Sequence, residues 1–313
     1  MEDAVRVRLH LPSAPGSGAA LCRGLRASSR RYHRPTGQIQ QPGRTLDRIK
    51  LGGKVTISYL DNPFHPDVLE ALSNQLQARG YQILLFTAAH GSTADPMFEN
   101  VMRYQVDGVI LASTMLSSKL ARECRRAGVP IVLFNRTTDD ANMSSVTGDN
   151  ERGGAAIASF LLAGNHKRLA FFIAGLEESS TSRDRERGFR SALERAGYTG
   201  LQRAVGHYNQ MEAAGATRAL LQQKNRPDAI FCANDHMALP CIEVVRHEFG
   251  LRIPDDLSVV GFDDAGPARW KSFDLTSFSQ PLVPMVTATV GMISDLQSGL
   301  ISQRVVLSSA ASW

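Results

Sequence analysis

The strongest restriction on this chain is an alternation that begins at Lys54. Short, almost wholly apolar runs are separated by amphipathic stretches of helical length. The first series runs through KVTISYL (54–60), a helix from about Pro66 to Arg79, YQILLF (81–86) and a helix over about 96–104. It continues with DGVILAS (107–113), a helix over 119–127, PIVLFN (130–135), SSVTGD and a helix over 150–163. The rhythm then restarts with RLAFFIAG (168–175), a helix over 183–196, AVGHYN and a helix over 211–222. DAIFCAND (228–235), a helix over about 237–248 and LSVVGFDD (257–264) follow. Runs this apolar belong to strands covered on both faces, and their alternation with helices implies parallel βαβ units with right-handed crossovers. Gly80, Gly128, Gly164 and Gly197 fall at helix ends, where a left-handed residue stops a helix. The expected fold is α/β, with two Rossmann-like parallel-sheet lobes. A leftover segment, TSFSQP (276–281), a helix over about 283–296 and RVVLSS, can return to either lobe.

With 43% hydrophobic and 21% charged residues the composition is that of a globular protein. No apolar run approaches the roughly 20 residues of a spanning helix. The first thirty residues lack the apolar core of a secretory signal, so a cytoplasmic location without membrane attachment is expected. Cys22, Cys124, Cys232 and Cys241 are too scattered for a disulfide framework or a zinc pattern and read as plain thiols. No metal or cofactor is implied.

The net charge of +5 is unevenly placed. Residues 1–50 hold ten basic against three acidic residues, leaving twenty-five against twenty-seven for the rest. A slightly acidic body does not read as a nucleic-acid surface. Residues 1–53 show neither hydrophobic period; Arg, Pro, Gly and Ser dominate up to Gly52-Gly53, and such a stretch is expected to stay disordered.

In combination, these segments resemble the ligand-sensing core of lac/galactose-repressor-family (LacI/GalR) transcription regulators. The carriers are DNPFHPDVLEAL after the first strand, DGVILAS, VPIVLFNR and VTGDNERGGAAIASFLLAGNHKRLAFF. SSTSRDRERGF, PDAIFCANDHMA, IPDDLSVVGFDD and LTSFSQP complete the set, which covers roughly four-fifths of the chain, Lys54 to Leu307. The resemblance implies a periplasmic-binding-protein type I fold. The first lobe is expected over 54–163 plus about 280–300, the second over 164–279 plus about 301–313, with crossings near 163–167, 279–281 and 299–303. It also implies a ligand held between the lobes at the carboxyl ends of parallel strands.

Residue by residue, Phe64 and His65 match positions that face the cleft from the first loop; Phe64 alternatively covers the start of the next helix. Asp149 matches a cleft carboxylate and also suits a helix N-cap. Arg185 matches the cleft arginine, against the alternative of a surface salt bridge. Its neighbours Arg183 and Arg187 point elsewhere on a helical turn. Thr181 matches a polar contact position. Asn234 and Asp263 match strand-end ligand contacts, while short polar residues there also cap turns, a role that fits Asp235 and Asp264 better. Gln280 reaches either ligand or hinge backbone. One aromatic, one arginine, carboxylates and amides together suit a sugar or sugar-like effector.

Enzymatic signatures are missing: there is no G-x-G-x-x-G after a strand, no Walker A run, no G-x-S-x-G and no H-E-x-x-H. The chain is therefore expected not to be an enzyme. The other reading weighed is an exported sugar-binding protein of the same fold, which would need a signal. The family implies a homodimer, with apolar surface expected on the helices after Pro66 and Pro96, and a helix-turn-helix head that binds operator DNA. Here residues 1–53 occupy the head's place as a degenerate or frame-shifted leader, so operator recognition is not expected from this chain. Ligand-driven lobe closure is the expected mechanism.

Overall fold

The computed structural model of the chain describes residues 54–57, 60–87, 106–113, 118–140, 142–173, 179–299 and 304–309. The leader 1–53, Cys22 and the helix expected over 96–104 lie outside them. Within these bounds every strand pairing is parallel. The first sheet contains β1 (Lys54–Ile57), β2 (Leu84–Thr87), β3 (Val109–Ala112), β4 (Ile131–Phe134), β5 (Ser144–Gly148) and β11 (Arg304–Leu307), in the order β11-β5-β4-β3-β1-β2. The second contains β6 (Leu169–Ile173), β7 (Gln202–Val205), β8 (Ala229–Cys232), β9 (Ser258–Asp263) and β10 (Thr276–Ser279), in the order β10-β9-β8-β6-β7. β3, β4 and β8 are buried at every position, as strands sandwiched by helices must be.

The two sheets repeat one strand order, and in each the chain leaves the first strand for an edge and returns on the other side. Such switch points open a crevice at the carboxyl ends of the strands. The helices that connect the strands are α1 (Phe64–Gln77), α2 (Ser118–Arg126), α3 (Asn150–Ala163), α4 (Ser180–Arg195), α5 (Gln210–Leu221), α6 (Asp235–Glu243) and α7 (Leu282–Gln297). A single π-helical turn, Val244–Glu248, extends α6. Each lobe has its own core. Leu72, Ile110, Val132, Phe134 and Val290 anchor the first, and Ile157, Phe189, Ile230, Phe231 and Val260 anchor the second.

The lobe boundaries differ from the expected 54–163 and 164–279. α3 belongs to the second lobe, because Ile157, Ala158 and Leu161 join that core. The crossing is therefore at Asp149, not at 163–167. Two glycines make this possible. A Cβ on Gly154 would collide with the Arg185 carbonyl, and one on Gly188 with the Glu151 carbonyl, so α3 and α4 touch backbone to backbone. At the other end β11 pairs with β5 in the first sheet, and Val305 and Leu307 pack on the first core. Residues 304–309 thus belong to the first lobe rather than the second. α7 and β11, on either side of the crossing expected at 299–303, both belong to the first lobe; residues 300–303 themselves lie outside the described residues. Residues 280–281 lead from β10 to α7. The left-handed residue after α3 is Asn165 (φ 61°); Gly164 has an ordinary negative φ. No helix among the described residues is long and apolar enough to cross a membrane.

Candidate functional site

Both crossings meet around one buried arginine. β5 ends at Gly148, and Asp149 caps α3 by accepting a hydrogen bond from the Arg152 N–H at 3.1 Å. The next residue, Asn150, is buried; its Nδ2 donates to the Gly148 carbonyl (3.1 Å) and its Oδ1 accepts from Arg185 Nε (2.9 Å). Arg185, in the second turn of α4, is 2% exposed. Its Nη1 donates to the Ala233 carbonyl at the end of β8 (2.5 Å), and its Nη2 pairs with Asp263 Oδ1 at the end of β9 (3.3 Å). The guanidinium carbon stands 3.6 Å from the ring centroid of Phe262. Gln280, on the return crossing, donates from Nε2 to the same Asp263 oxygen (2.7 Å). The opposite end of that amide lies over Gly148, where an added Cβ would sit 3.0 Å from Oε1. The hydrogen-bonded chain Gly148–Asn150–Arg185–Asp263–Gln280 therefore links both crossings, while Gln280 Oε1 itself is buried without a hydrogen-bond partner.

Burying a guanidinium costs several kcal/mol unless it is paired and hydrogen-bonded. Three protein acceptors, one of them a carboxylate, and an aromatic face meet that cost here. Burial pushes the Asp263 carboxyl up to about 6, against the opposing pull of the Arg185 charge and the hydrogen bonds from Gln280 and Arg185. Asp263 also holds φ at 123° and Asp264 at 51°, conformations that non-glycine residues seldom adopt and that concentrate at binding sites.

Asn234 caps α6, accepting from the Met237 N–H (3.1 Å), and is buried next to the carbonyl that Arg185 binds. Asp235 is more than a turn cap. It is fully buried, accepting from Ser277 Oγ (2.6 Å) and from the Ala265 N–H (3.0 Å). Burial, reinforced by the charge of Asp263, raises its carboxyl well above the usual carboxylate range. It thereby holds the 264–266 loop that faces the first lobe. Thr181 lies one turn ahead of Arg185, with its hydroxyl 3.4 Å from Tyr208 Oη; Ser179 Oγ is 2.9 Å from the same phenol. Arg183 and Arg187 are exposed, and Arg187 pairs with Glu151 and Asp184.

From the first lobe, Phe64 and His65 open α1 as its first helical residues instead of standing in a loop. Asn62 Oδ1 accepts from the Phe64 N–H (3.1 Å) and starts the helix early. Phe64 is 2% exposed and joins the first core together with Ala265 of the second lobe. The same loop crosses to the second lobe through Asp61, 4.0 Å from His236 Nε2, and through Pro63, which leaves no room for a Cβ on Gly266. Farther along, the Thr137 N–H donates to Ser180 Oγ (2.9 Å).

The structure places both Arg185 and Gln280 on the Asp263 carboxylate, with Asn234 next to the Ala233 carbonyl that Arg185 binds and Thr181 one turn ahead of Arg185. Asp149 stands at the edge, half-buried, accepting from Ser308 Oγ as well (3.1 Å). Sequence reasoning passed over Asn150, Phe262 and Tyr208. Asn150 adjoins Asp149 in TGDN, and Phe262 adjoins Asp263 in VVGFDD, so each looked like an ordinary helix or strand residue. Tyr208 follows β7 with a positive φ that no sequence pattern announces.

Three comparisons bear on this geometry. A periplasmic binding protein-like domain matches residues 158–308. The HTH-type transcriptional regulator CelR of Thermobifida fusca is 30% identical over 249 residues, 78% of this chain and 73% of CelR. The chain belongs to the lac/galactose-repressor family. Among solved structures, a LacI transcriptional regulator from a Rhodococcus species aligns at TM-score 0.75 with 27% identity, covering 82% of this chain and 94% of the other. A CelR–cellobiose complex aligns at TM-score 0.73, also with 27% identity, covering 83% and 84%. Relatives that regulate transcription, together with the shared two-sheet core, make this chain the effector-binding core of a transcriptional regulator and not an enzyme.

Proposed function

We propose that the chain senses a sugar-like small molecule between its two sheets and reports it by a change in lobe closure. The observation that carries this is the buried hydrogen-bonded chain through Arg185, Asp263 and Gln280, which ties the proposed ligand-binding groups to both crossings. Arg185, Asn234, Asp263 and Gln280 form the floor of the proposed site. Thr181, Asp149 and the phenol of Tyr208 stand around it, and Phe64 and His65 oppose it from the first lobe. The cellobiose held by the similar CelR structure supports a carbohydrate effector. A ligand shifts the balance between open and closed lobes only by its difference in affinity for the two. In a homodimer, that shift would reset the spacing of two DNA-binding heads on an operator. Residues 1–53, where such a head would lie, are outside the described structure.

Isothermal titration with a library of mono- and disaccharides that includes cellobiose tests the reading. At least one sugar is expected to bind, and Arg185→Ala is expected to weaken it more than tenfold while the chain stays folded. Unchanged affinity in that variant removes Arg185 from the site.

A further inference from the structure

We propose that Asp235 and Ser277 are positioning residues that clamp the turn at 263–265 and, through it, fix how the second lobe meets the first. The clamp adds to the lobe-closure reading above and is independent of which effector binds. β9 ends in a backbone that non-glycine residues seldom adopt, with φ 123° at Asp263 and 51° at Asp264. Asp263 is the last residue that pairs with β10, so the N–H groups of Asp264 and Ala265 lie beyond the ladder. A buried N–H without an acceptor is costly. Two buried side chains supply the acceptors. Ser277 Oγ accepts from the Asp264 N–H (3.0 Å) and Asp235 Oδ2 from the Ala265 N–H (3.0 Å). The Ser277 hydroxyl also donates to Asp235 Oδ1 (2.6 Å), which joins the two holders to each other. Asp235 opens α6, and Ser277 lies on β10 in register with Gly261 of β9. A Cβ on Gly261 would stand 2.1 Å from Asp235 Oδ1, so glycine leaves the space through which the carboxylate reaches Ser277.

The clamped turn has different neighbours at its two ends. At one, the Asp263 carboxylate receives Arg185 and Gln280. At the other, Ala265 is buried in the core of the first lobe with Phe64. Gly266, at φ 50°, comes so near Pro63 that an added Cβ would sit 2.8 Å from the proline Cβ. A shift of the turn therefore disturbs the buried charge cluster and the lobe contact together, because close-packed groups transmit displacement. The lobes also meet where the Thr137 N–H, after β4, donates to Ser180 Oγ at the start of α4. Releasing the clamp should loosen that contact too, although Thr137 and Ser180 lie on other elements.

Amide hydrogen exchange of the full chain without ligand, read residue by residue by NMR, tests this. Ser277→Ala is expected to speed exchange about tenfold at Asp264 and Ala265 and also at Thr137. Leu169, whose N–H donates to Tyr198 Oη inside the second lobe, is expected to keep its wild-type rate. Ser277→Thr, which keeps the hydroxyl, should restore slow exchange at all three positions. Asp264→Gly makes a positive φ easy, so it should shrink the effect of Ser277→Ala when the two are combined. Faster exchange at Asp264 and Ala265 with Thr137 unmoved would reduce the pair to a local pin and overturn the proposal. Unchanged rates at all three positions, or equal acceleration at Leu169, would overturn it as well. Should Ser277→Ala not fold, Gly266→Ala decides: it leaves the clamp residues in place and crowds Pro63, and Thr137 is expected to exchange faster. An unmoved Thr137 in that variant rejects the coupling. The carbohydrate reading is tested separately: a sugar that binds without this exchange pattern removes only the clamp, and the pattern without a binding sugar removes only the sugar.

Discussion

The two lobes share a strand order but divide the work differently. The first buries no carboxylate or guanidinium among the described residues, and its last pieces, α7 and β11, return from the far end of the chain. The second buries every carboxylate and guanidinium that is buried among the described residues, Arg185, Asp235 and Asp263. It also packs α3 on α4 through glycines. One topology can thus carry a mainly apolar core in one copy and a buried charged cluster in the other. The difference lies in what stands at the carboxyl ends of the strands.

The largest test of this contrast is Gly188→Val. A side chain driven into the Glu151 carbonyl should separate α3 from α4 and cost about 3 kcal/mol or more, since overpacking a close contact is rarely relieved. Urea denaturation followed by far-UV circular dichroism should show an early transition of the second lobe. A single unshifted transition would mean that the helix contact is dispensable. Leu72→Ala, in the first core, should lose about 2–5 kcal/mol of stability without changing the affinity of the remaining folded protein. An affinity loss as large as that of Arg185→Ala would erase the proposed division.

pH separates binding from stability. Burial raises Asp263 to about 6 from an ordinary value of 3.8, so the folded state binds this proton more tightly than the unfolded one. Its stabilising contribution is complete below about pH 4 and is lost as pH rises through about 6. Ligand affinity should run the opposite way, falling below about pH 6 as the acceptor protonates. Titrations and melting curves of wild type against Asp263→Asn over this range should isolate both trends; parallel trends would refute the assignment. Asp256, held down at about 2 chiefly by Arg252, titrates below this window. The smallest effect is expected from Gly291→Ala. This helical glycine in α7 has open space at its Cβ, and alanine should stabilise the first lobe by about 0.5–1 kcal/mol.

Most of the architecture was readable along the chain. Apolar runs and amphipathic stretches announced strands and helices within a few residues, because burial on two faces or on one leaves a period in the residue order. Arg185, Asp263 and Gln280 were legible as polar residues where elements begin or end, in segments that match a known family. Three things were not. The membership of α3 in the second lobe depends on what its apolar face meets, and an amphipathic helix fits either sheet until Gly154 and Gly188 bring α3 and α4 together. The return of β11 to the first sheet depends on pairing across a long stretch of chain, and short apolar strands carry no address. The partnership of Asn150 and Phe262 with Arg185 exists only in three dimensions, since a buried charge must collect its partners from whatever the fold places within about 3–4 Å. Local composition thus determined the elements and several chemical groups at the site. Tertiary packing decided which lobe each element joins and how one guanidinium comes to be shared by both crossings.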